Sequence, residues 1–274
     1  YTERVDSLSN LFDNTRQQHR IGLRLIYEGK KHTISGGGRF RNVAIDNFNP
    51  LLGTEVNQNI NNFLPRFRYQ FKPSMSKRLN ITYKTSSQQP SINDLQPVPD
   101  NSNPNKIKAG NSNLIPSYTH NFNASLNSWK ALSGQYIWIG GSGSYTNNAF
   151  SDSSTFDSYG RTVSQTVNVD GNLFTSIYGG AGIQVYKKLI ELRPRMNMSY
   201  NKYTGYINGS ENVTQNFIVG GGANLIFKWD SLNIDLSGSY TYNSPKSSLN
   251  AVSSTPFSNQ KFGMDIEWIL PKGF

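Results

Sequence analysis

Apolar and polar residues alternate along most of this chain, as they do in a β-strand whose two faces meet different environments. Between positions 63 and 71 every odd position is apolar or aromatic, and the even positions from 66 to 72 are polar or charged. Because successive side chains of a strand point to opposite faces, such a segment has one apolar and one polar face. A lipid bilayer outside a water-filled barrel provides both environments.

The same period of two recurs from His19 to Trp268 and predicts about eleven strands. Residues 45–61 and 87–117 lack the period and are predicted to be loops that face outside. Short polar turns are predicted at residues 29–30, 73–77, 131–134, 187–188, 230–231 and 271–273. In an up-and-down barrel all short turns lie at one end, and these turns do so only if residues 161–186 form one strand. We therefore expect one long strand there, projecting beyond the membrane.

The predicted fold is an all-β, antiparallel, up-and-down transmembrane β-barrel. Residues 1–274 are expected to be part of a single outer-membrane barrel domain, with no plug domain present. Single-chain bacterial barrels generally have an even number of strands, so an odd count favours a fragment of a larger barrel. The alternative is a complete small barrel in which the terminal Phe274 acts as a sorting signal.

The composition agrees with a wall that encloses water better than with a dry core. The chain is 35% hydrophobic and 16% charged, with 24 glycines and no cysteine. An ordinary globular domain is about 45–50% apolar and about 25% charged. The formal charge is +10, but the basic residues are spread along the strands, so we expect no nucleic-acid partner.

Two segments resemble a known family. Residues 95–104 read LQPVPDNSNP and residues 110–122 read GNSNLIPSYTHNF. The residues that carry the resemblance are Leu95, Pro97, Asp100, Asn101, Asn103, Pro104, Gly110, Asn111, Pro116 and His120. They resemble Bacteroidota outer-membrane β-barrels of the TonB-dependent receptor type, with a carboxypeptidase-regulatory-like domain preceding the barrel.

The resemblance implies a barrel of about 22 strands in the bacterial outer membrane that takes up a large solute such as a glycan, a peptide or a metal chelate. It also implies that the partners are outer-membrane lipid, the missing remainder of the barrel, a plug domain, TonB and a surface lipoprotein. Two alternatives stay open. One is an outer-membrane scaffold or secretion-associated barrel without transport of its own, and the other is a soluble β-rich binding module.

Basic side chains are the candidate solute-binding residues. Arg66, Arg68 and Lys72 share one face of a strand, and Arg193 and Arg195 share a face of another. We expect them to face the lumen, because a lipid-facing arginine near the membrane centre costs about 2–4 kcal/mol. They would either attract an anionic solute or pair with carboxylates of neighbouring strands or of a plug.

Aromatic residues near the short turns are candidates for a girdle at the membrane interface. They are Tyr27, Tyr69, Phe71, Tyr83, Tyr186, Phe227 and Trp268. The three histidines form no pair two residues apart, and no glycine run is followed by Lys-Ser or Lys-Thr. We therefore expect no cofactor, no metal and no enzymatic activity.

Overall fold

All strands in the described part of the chain join in one β-sheet. The computed structural model describes residues 13–50, 53–95, 100–103, 105–249 and 254–269. The strands are β1 Asp13–Glu28, β2 His32–Asn49, β3 Thr54–Ser74, β4 Lys77–Gln88, β5 Asp100–Asn103, β6 Lys106–Ala109, β7 Ser117–Lys130, β8 Gln135–Asn147, β9 Ala149–Phe156, β10 Thr162–Val169, β11 Asn172–Tyr186, β12 Ile190–Ile207, β13 Ser210–Lys228, β14 Leu232–Ser247 and β15 Phe257–Trp268. A four-residue helix, α1, spans Ile92–Leu95, and no helix among the described residues is long and apolar enough to cross a membrane.

Eleven of these strands form a continuous wall in which each strand is antiparallel to the next. The order is β1-β2-β3-β4-β7-β8-β11-β12-β13-β14-β15. The all-β, up-and-down fold and the count of about eleven strands are therefore confirmed. Within the described residues β1 pairs only with β2 and β15 pairs only with β14, so the wall has two open edges.

One row of directly paired residues crosses the whole wall and is apolar or small until its last member. The row is Tyr27, Ile34, Tyr69, Ile81, Ala124, Gly141, Ile177, Met198, Val219, Tyr242 and Ser258. Directly paired residues of adjacent strands lie on the same face of a sheet. The row therefore marks an apolar face that extends across all eleven strands.

The next row, one residue along each strand, lies on the opposite face and is almost entirely polar or small. It consists of Glu28, Thr33, Gln70, Asn80, Ser125, Gly140, Tyr178, Asn197, Gly220, Thr241 and Asn259. We call this side of the wall the polar face. The wall thus has the two different sides that the alternation predicted.

The strands are tilted, because the apolar row climbs along the wall. Tyr27 lies two residues before the short turn that ends β1, whereas Ser258 lies at the opposite end, at the start of β15. Such a stagger accompanies the strand tilt of β-barrels. It also explains why the row ends on a serine, since Ser258 is no longer at the depth of the apolar residues.

The five predicted short turns that fall within the described residues all lie at one end of the wall. A further two-residue turn is at the other end, where residues 208 and 209 join β12 to β13. Asn208 and Gly209 both have positive φ angles, 50° and 77°. Two consecutive left-handed residues, Asn followed by Gly, favour a type I′ hairpin turn, which matches the twist of the paired strands.

The prediction of one strand over residues 161–186 is right in direction and wrong in continuity. β10 and β11 run the same way but are separated at Asp170 and Gly171, where Gly171 has a φ of 82°. The preceding strand breaks at the same level, at Asn148, whose amide donates to the Asp170 carboxylate at 2.7 Å. Both breaks together let the β9–β10 hairpin bend away from β8 and β11. Its strand β9 pairs instead with the C-terminal end of β12, at the loop end of the wall.

Two loop predictions are corrected. Residues 45–61 are mostly strand, because β2 continues to Asn49 and β3 begins at Thr54. Polar asparagines hid the continuation there, although the backbone stays fully paired. Residues 87–117 contain α1, β5 and β6, and β6 pairs with β10. The turn predicted at residues 271–273 and the terminal Phe274 lie outside the described residues.

Candidate functional site

The polar face of β1–β4 is strongly basic. Alternation and register place nine cations on it: Arg16, Arg20, Arg24, Arg39, Arg41, Arg66, Arg68, Arg78 and Lys84. Glu28, at the short-turn end of β1, is the single acidic residue on this face of the four strands. Like charges on adjacent strands repel each other, so this surface favours an anionic partner.

The expected basic residues of β3 are part of this surface. Arg66 pairs in register with Gly37 and Lys84, and Arg68 pairs with Ser35 and Thr82. Both arginines are exposed. Lys72 follows on the same strand, at the level where the β3–β4 register shifts.

The basic residues of β12 have different surroundings. Arg193 Nε donates to Glu191 at 2.6 Å, and Lys228 Nζ binds the other carboxylate oxygen of Glu191 at 2.8 Å. Arg195 lies in register between Gly180 and Gly222 and is exposed. The sequence-based alternative of pairing with carboxylates therefore describes Arg193, although its partner is on the same strand.

Sequence reasoning missed Arg24, Arg39 and Lys84 as members of the basic surface. Arg24 occupies a polar position in the alternation of β1, so the period already places it on the polar face. Its proximity to Arg66 depends on the register through Gly37, which the sequence does not state.

Aromatic rings on the polar face lie over glycines of the neighbouring strand. A Cβ built on Gly140 would lie 2.5 Å from Cζ of Tyr178, and one on Gly180 would lie 2.8 Å from Cζ2 of Trp138. The two rings are neighbours, with centroids 5.9 Å apart. The glycines are thus places where an aromatic ring approaches the backbone closely.

The family-like motif builds a cap at the loop end of the wall. We use the name cap for residues 89–95, 100–103, 105–116 and 149–169. Leu95 and Leu114 are 1% exposed, and the side-chain amide of Asn111 donates to the Thr166 carbonyl at 3.0 Å. The Gly110 carbonyl accepts a hydrogen bond from Gln165 at 2.7 Å.

The remaining motif residues have varied positions. Asn103 accepts a hydrogen bond from the Asn105 amide at 3.0 Å, and His120 Nδ1 lies 2.8 Å from the Tyr83 hydroxyl. Pro116 directly precedes β7 and is partly exposed. Asp100 and Asn101 belong to the backbone of β5, and Pro97 and Pro104 lie outside the described residues.

Asp94 joins α1 to strands β6 and β10 of the cap. It accepts hydrogen bonds from Ser91 at 2.5 Å, Lys108 at 2.7 Å and Thr166 at 2.9 Å. Burial raises the pKa of the Asp94 carboxyl, but these three donors outweigh burial and leave the pKa below its usual value. The carboxylate form therefore stabilises the cap.

The cap lies against the polar face. Side chains of that face reach it from β1 and β3, since Arg16 donates to Gln89 at 3.2 Å and Gln58 donates to the Leu114 carbonyl at 2.9 Å. The upper polar-face residues of β2 are buried there, with Val43 at 0% and Ile45 at 5% exposure. The cap thus covers the loop end of the basic surface and leaves its lower part open.

The register partners of the seven girdle candidates place all of them on the apolar face. They pair with apolar residues in most cases, as Tyr69 does with Ile81 and Phe227 does with Ile234. Tyr27 is 65% exposed and Trp268 is 66% exposed. Tyr83 differs from the others, because it lies in the middle of β4 rather than beside a turn.

No group of three or more metal-binding side chains occurs among the described residues. His32 stacks on Phe71 with centroids 4.6 Å apart, and His120 stacks on Tyr83. Both rings therefore have structural contacts within the wall.

Several solved structures are similar to this chain. A copper transporter, OprC, matches with a TM-score of 0.53 and 11% identity over 93% of this chain. The siderophore receptor PirA from Acinetobacter baumannii matches with a TM-score of 0.44, 11% identity and 93% coverage, and the FrpB iron transporter from Neisseria meningitidis with 0.44, 12% and 93%. The chain spans about half the length of these proteins, namely 48%, 48% and 45%. No curated protein sequence matches the chain.

The similarity to OprC supports the fold, and the other two scores are too low to add to it. The sequence profile of the outer membrane protein beta-barrel family matches residues 2–269. A bacterial outer-membrane location follows, and it agrees with the apolar face that crosses the wall. The chain belongs to the outer membrane protein beta-barrel family.

Proposed function

We propose that this chain is part of the barrel wall of a TonB-dependent receptor that takes up a large solute, such as a glycan, a peptide or a metal chelate. The observation that carries the proposal is the contrast between the two faces of the wall. One face is apolar across eleven strands, and the other presents exposed amides, hydroxyls and cations to an interior. A wall that only anchored a protein in lipid would not need a hydrated second face.

The open edges of the wall support a larger barrel. An unpaired strand edge inside a membrane leaves backbone groups without partners, at a cost of several kcal/mol for each group. The edges at β1 and β15 therefore call for further strands, and a barrel of about 22 strands would have room for a plug domain. TonB and a surface lipoprotein are the further partners in this proposal.

Energy-dependent uptake tests the proposal. Cells that lack the full-length protein should lose uptake of one radiolabelled probe among a ferric chelate, a peptide and an oligosaccharide. The same uptake should be lost when TonB is deleted or the proton gradient is collapsed. Uptake of all three probes that is independent of both the protein and TonB would contradict the proposal and favour the scaffold alternative.

A further inference from the structure

We propose that a groove on the polar face of β1–β4 binds a solute that carries two or more carboxylate or phosphate groups. The groove is defined by Arg24, Arg39, Arg66 and Lys84 around a floor formed by Gly22 and Gly37. The inference rests on the proposed function, because it names the chemical class of the solute that the wall would admit.

The register creates the groove. Arg24, Gly37, Arg66 and Lys84 form one directly paired row across the four strands. Gly37 has no side chain, so the row has a gap between two arginines. Arg24 and Arg66 thus lie on either side of Gly37, two strands apart.

The gap is an open cavity of about 540 Å³ on the polar face. Arg39 adds a cation from the neighbouring row of the same face, two residues along each strand, where it pairs with Gly22 and Leu64. A volume of this size lies within the range of sites for small molecules, about 300–1,000 Å³.

The four cations have no acidic partner among the described residues. Within the described ranges, the only hydrogen bond from a groove cation goes from Arg24 to the Ser35 hydroxyl, at 3.2 Å. All four side chains are exposed, and the one carboxylate on this face of the four strands, Glu28, lies four residues along β1 from Arg24, at the short-turn end. Their positive charges therefore remain available to a ligand.

The chemistry of the donors selects the ligand class. A guanidinium group binds a carboxylate or a phosphate through two parallel N–H···O bonds, and lysine adds a point charge. Two arginines on opposite sides of a gap can each hold one such group. A neutral solute would leave the mutual repulsion of the cations uncompensated.

Titration of the purified full-length protein tests the groove, with citrate and tripolyphosphate as probes. Both probes should bind to the parent protein. The double variant Arg24→Gln/Arg66→Gln should weaken binding of both by about tenfold or more, as expected for the loss of charge-assisted hydrogen bonds. The control Lys130→Gln/Lys246→Gln removes the same charge from exposed positions on β7 and β14, outside the basic surface, and should change the affinity by less than about twofold.

Two further measurements keep the outcome clear. The variant Arg24→Lys/Arg66→Lys preserves charge and should retain part of the binding, and the thermal midpoint of each variant checks folding. Equal loss in both glutamine variants would reduce the effect to bulk charge and overturn the proposal. Absence of probe binding to the parent, together with a lowered thermal midpoint in Arg24→Gln/Arg66→Gln, would show that an acidic part of the protein fills the groove, and this too would overturn it.

Failure here is distinguishable from failure of the proposed function. Probe binding is measured on purified protein without TonB or a proton gradient. Loss of energy-dependent uptake with intact probe binding would refute the receptor, whereas uptake without groove binding would refute only the groove.

Discussion

Replacing Gly37 by alanine should damage the wall far more than replacing either of its neighbours. The three consecutive glycines of β2 have different surroundings. A Cβ on Gly36 would meet no atom within 4 Å, whereas one on Gly38 would overlap the ring of Phe63. A Cβ on Gly37 would overlap the backbone carbonyl oxygen of Leu23 and would lie 2.8 Å from Cα of Arg24.

The obstacle decides the expected cost. The Phe63 ring is 61% exposed on the apolar face and can swing aside, so Gly38→Ala should cost about 1 kcal/mol. The obstacle at Gly37 is the backbone of β1, which is held by continuous pairing with β2, so we expect about 3 kcal/mol, the upper end for overpacking. Gly36→Ala should stabilise by up to about 1 kcal/mol, because alanine restricts the unfolded chain.

Urea titration of the full-length protein folded into lipid vesicles measures these differences. With a slope of about 1–3 kcal/mol per molar urea, Gly37→Ala should lower the midpoint by about 1 M or more. Gel mobility of the unheated sample reports folding independently. If Gly37→Ala and Gly36→Ala unfolded at the same urea concentration, β1 and β2 would not approach each other as closely as described. The assignment of Gly37 to the floor of the basic groove would then be refuted.

Three further predictions concern the two faces, the cap and a turn. Ile177→Arg should lower the free energy of unfolding in lipid by about 2–4 kcal/mol. Ser176→Arg, one residue away on the polar face, should change this free energy little. Equal effects of the two variants in the same urea titration would contradict the assignment of faces. Because the pKa of Asp94 is lowered, its contacts are complete above the ordinary value of 3.8 and are lost as the pH falls through the lowered pKa. Hydrogen exchange of the α1 backbone amides should accelerate in that acidic range. The variant Asp94→Asn should abolish this pH dependence. Gly209→Val should slow folding of the β12–β13 hairpin and lower the urea midpoint, because a β-branched residue is strained at a φ of 77°; an unchanged midpoint would argue against the left-handed turn.

The sequence predicts the wall well because alternation is a local signal. In β3, Phe67 and Tyr69 report the apolar face directly, and Arg66 and Arg68 report the polar one. The direction of residues 161–186 was also predictable, because it had to keep the predicted short turns at one end. Periodicity alone therefore predicted the faces of strands such as β1, β3 and β4.

The cap could not be predicted in the same way, because long-range hydrogen bonds hold it together. Asn111 and Thr166 are far apart in sequence, and nothing local indicates that they meet. The break at Asp170 also depends on a distant partner, the amide of Asn148. In a region that is held together by such long-range hydrogen bonds, the sequence does not show the period of two, and sequence reasoning predicts only a loop.

The basic surface arises from the same constraint that makes the fold predictable. In the sequence the cations of β1–β4 look dispersed, with none of the dense runs that mark a nucleic-acid site. Lipid on one side makes a charge there costly, so alternation directs the cations of successive strands to the other side. Antiparallel pairing of neighbours then brings Arg24, Arg66 and Lys84 into one row. Cations that are dispersed along the sequence are thus concentrated on one surface of the folded wall, and the strand register fixes their position. A one-residue slip of β3 would turn Arg66 toward the bilayer and would abolish the groove together with the fold.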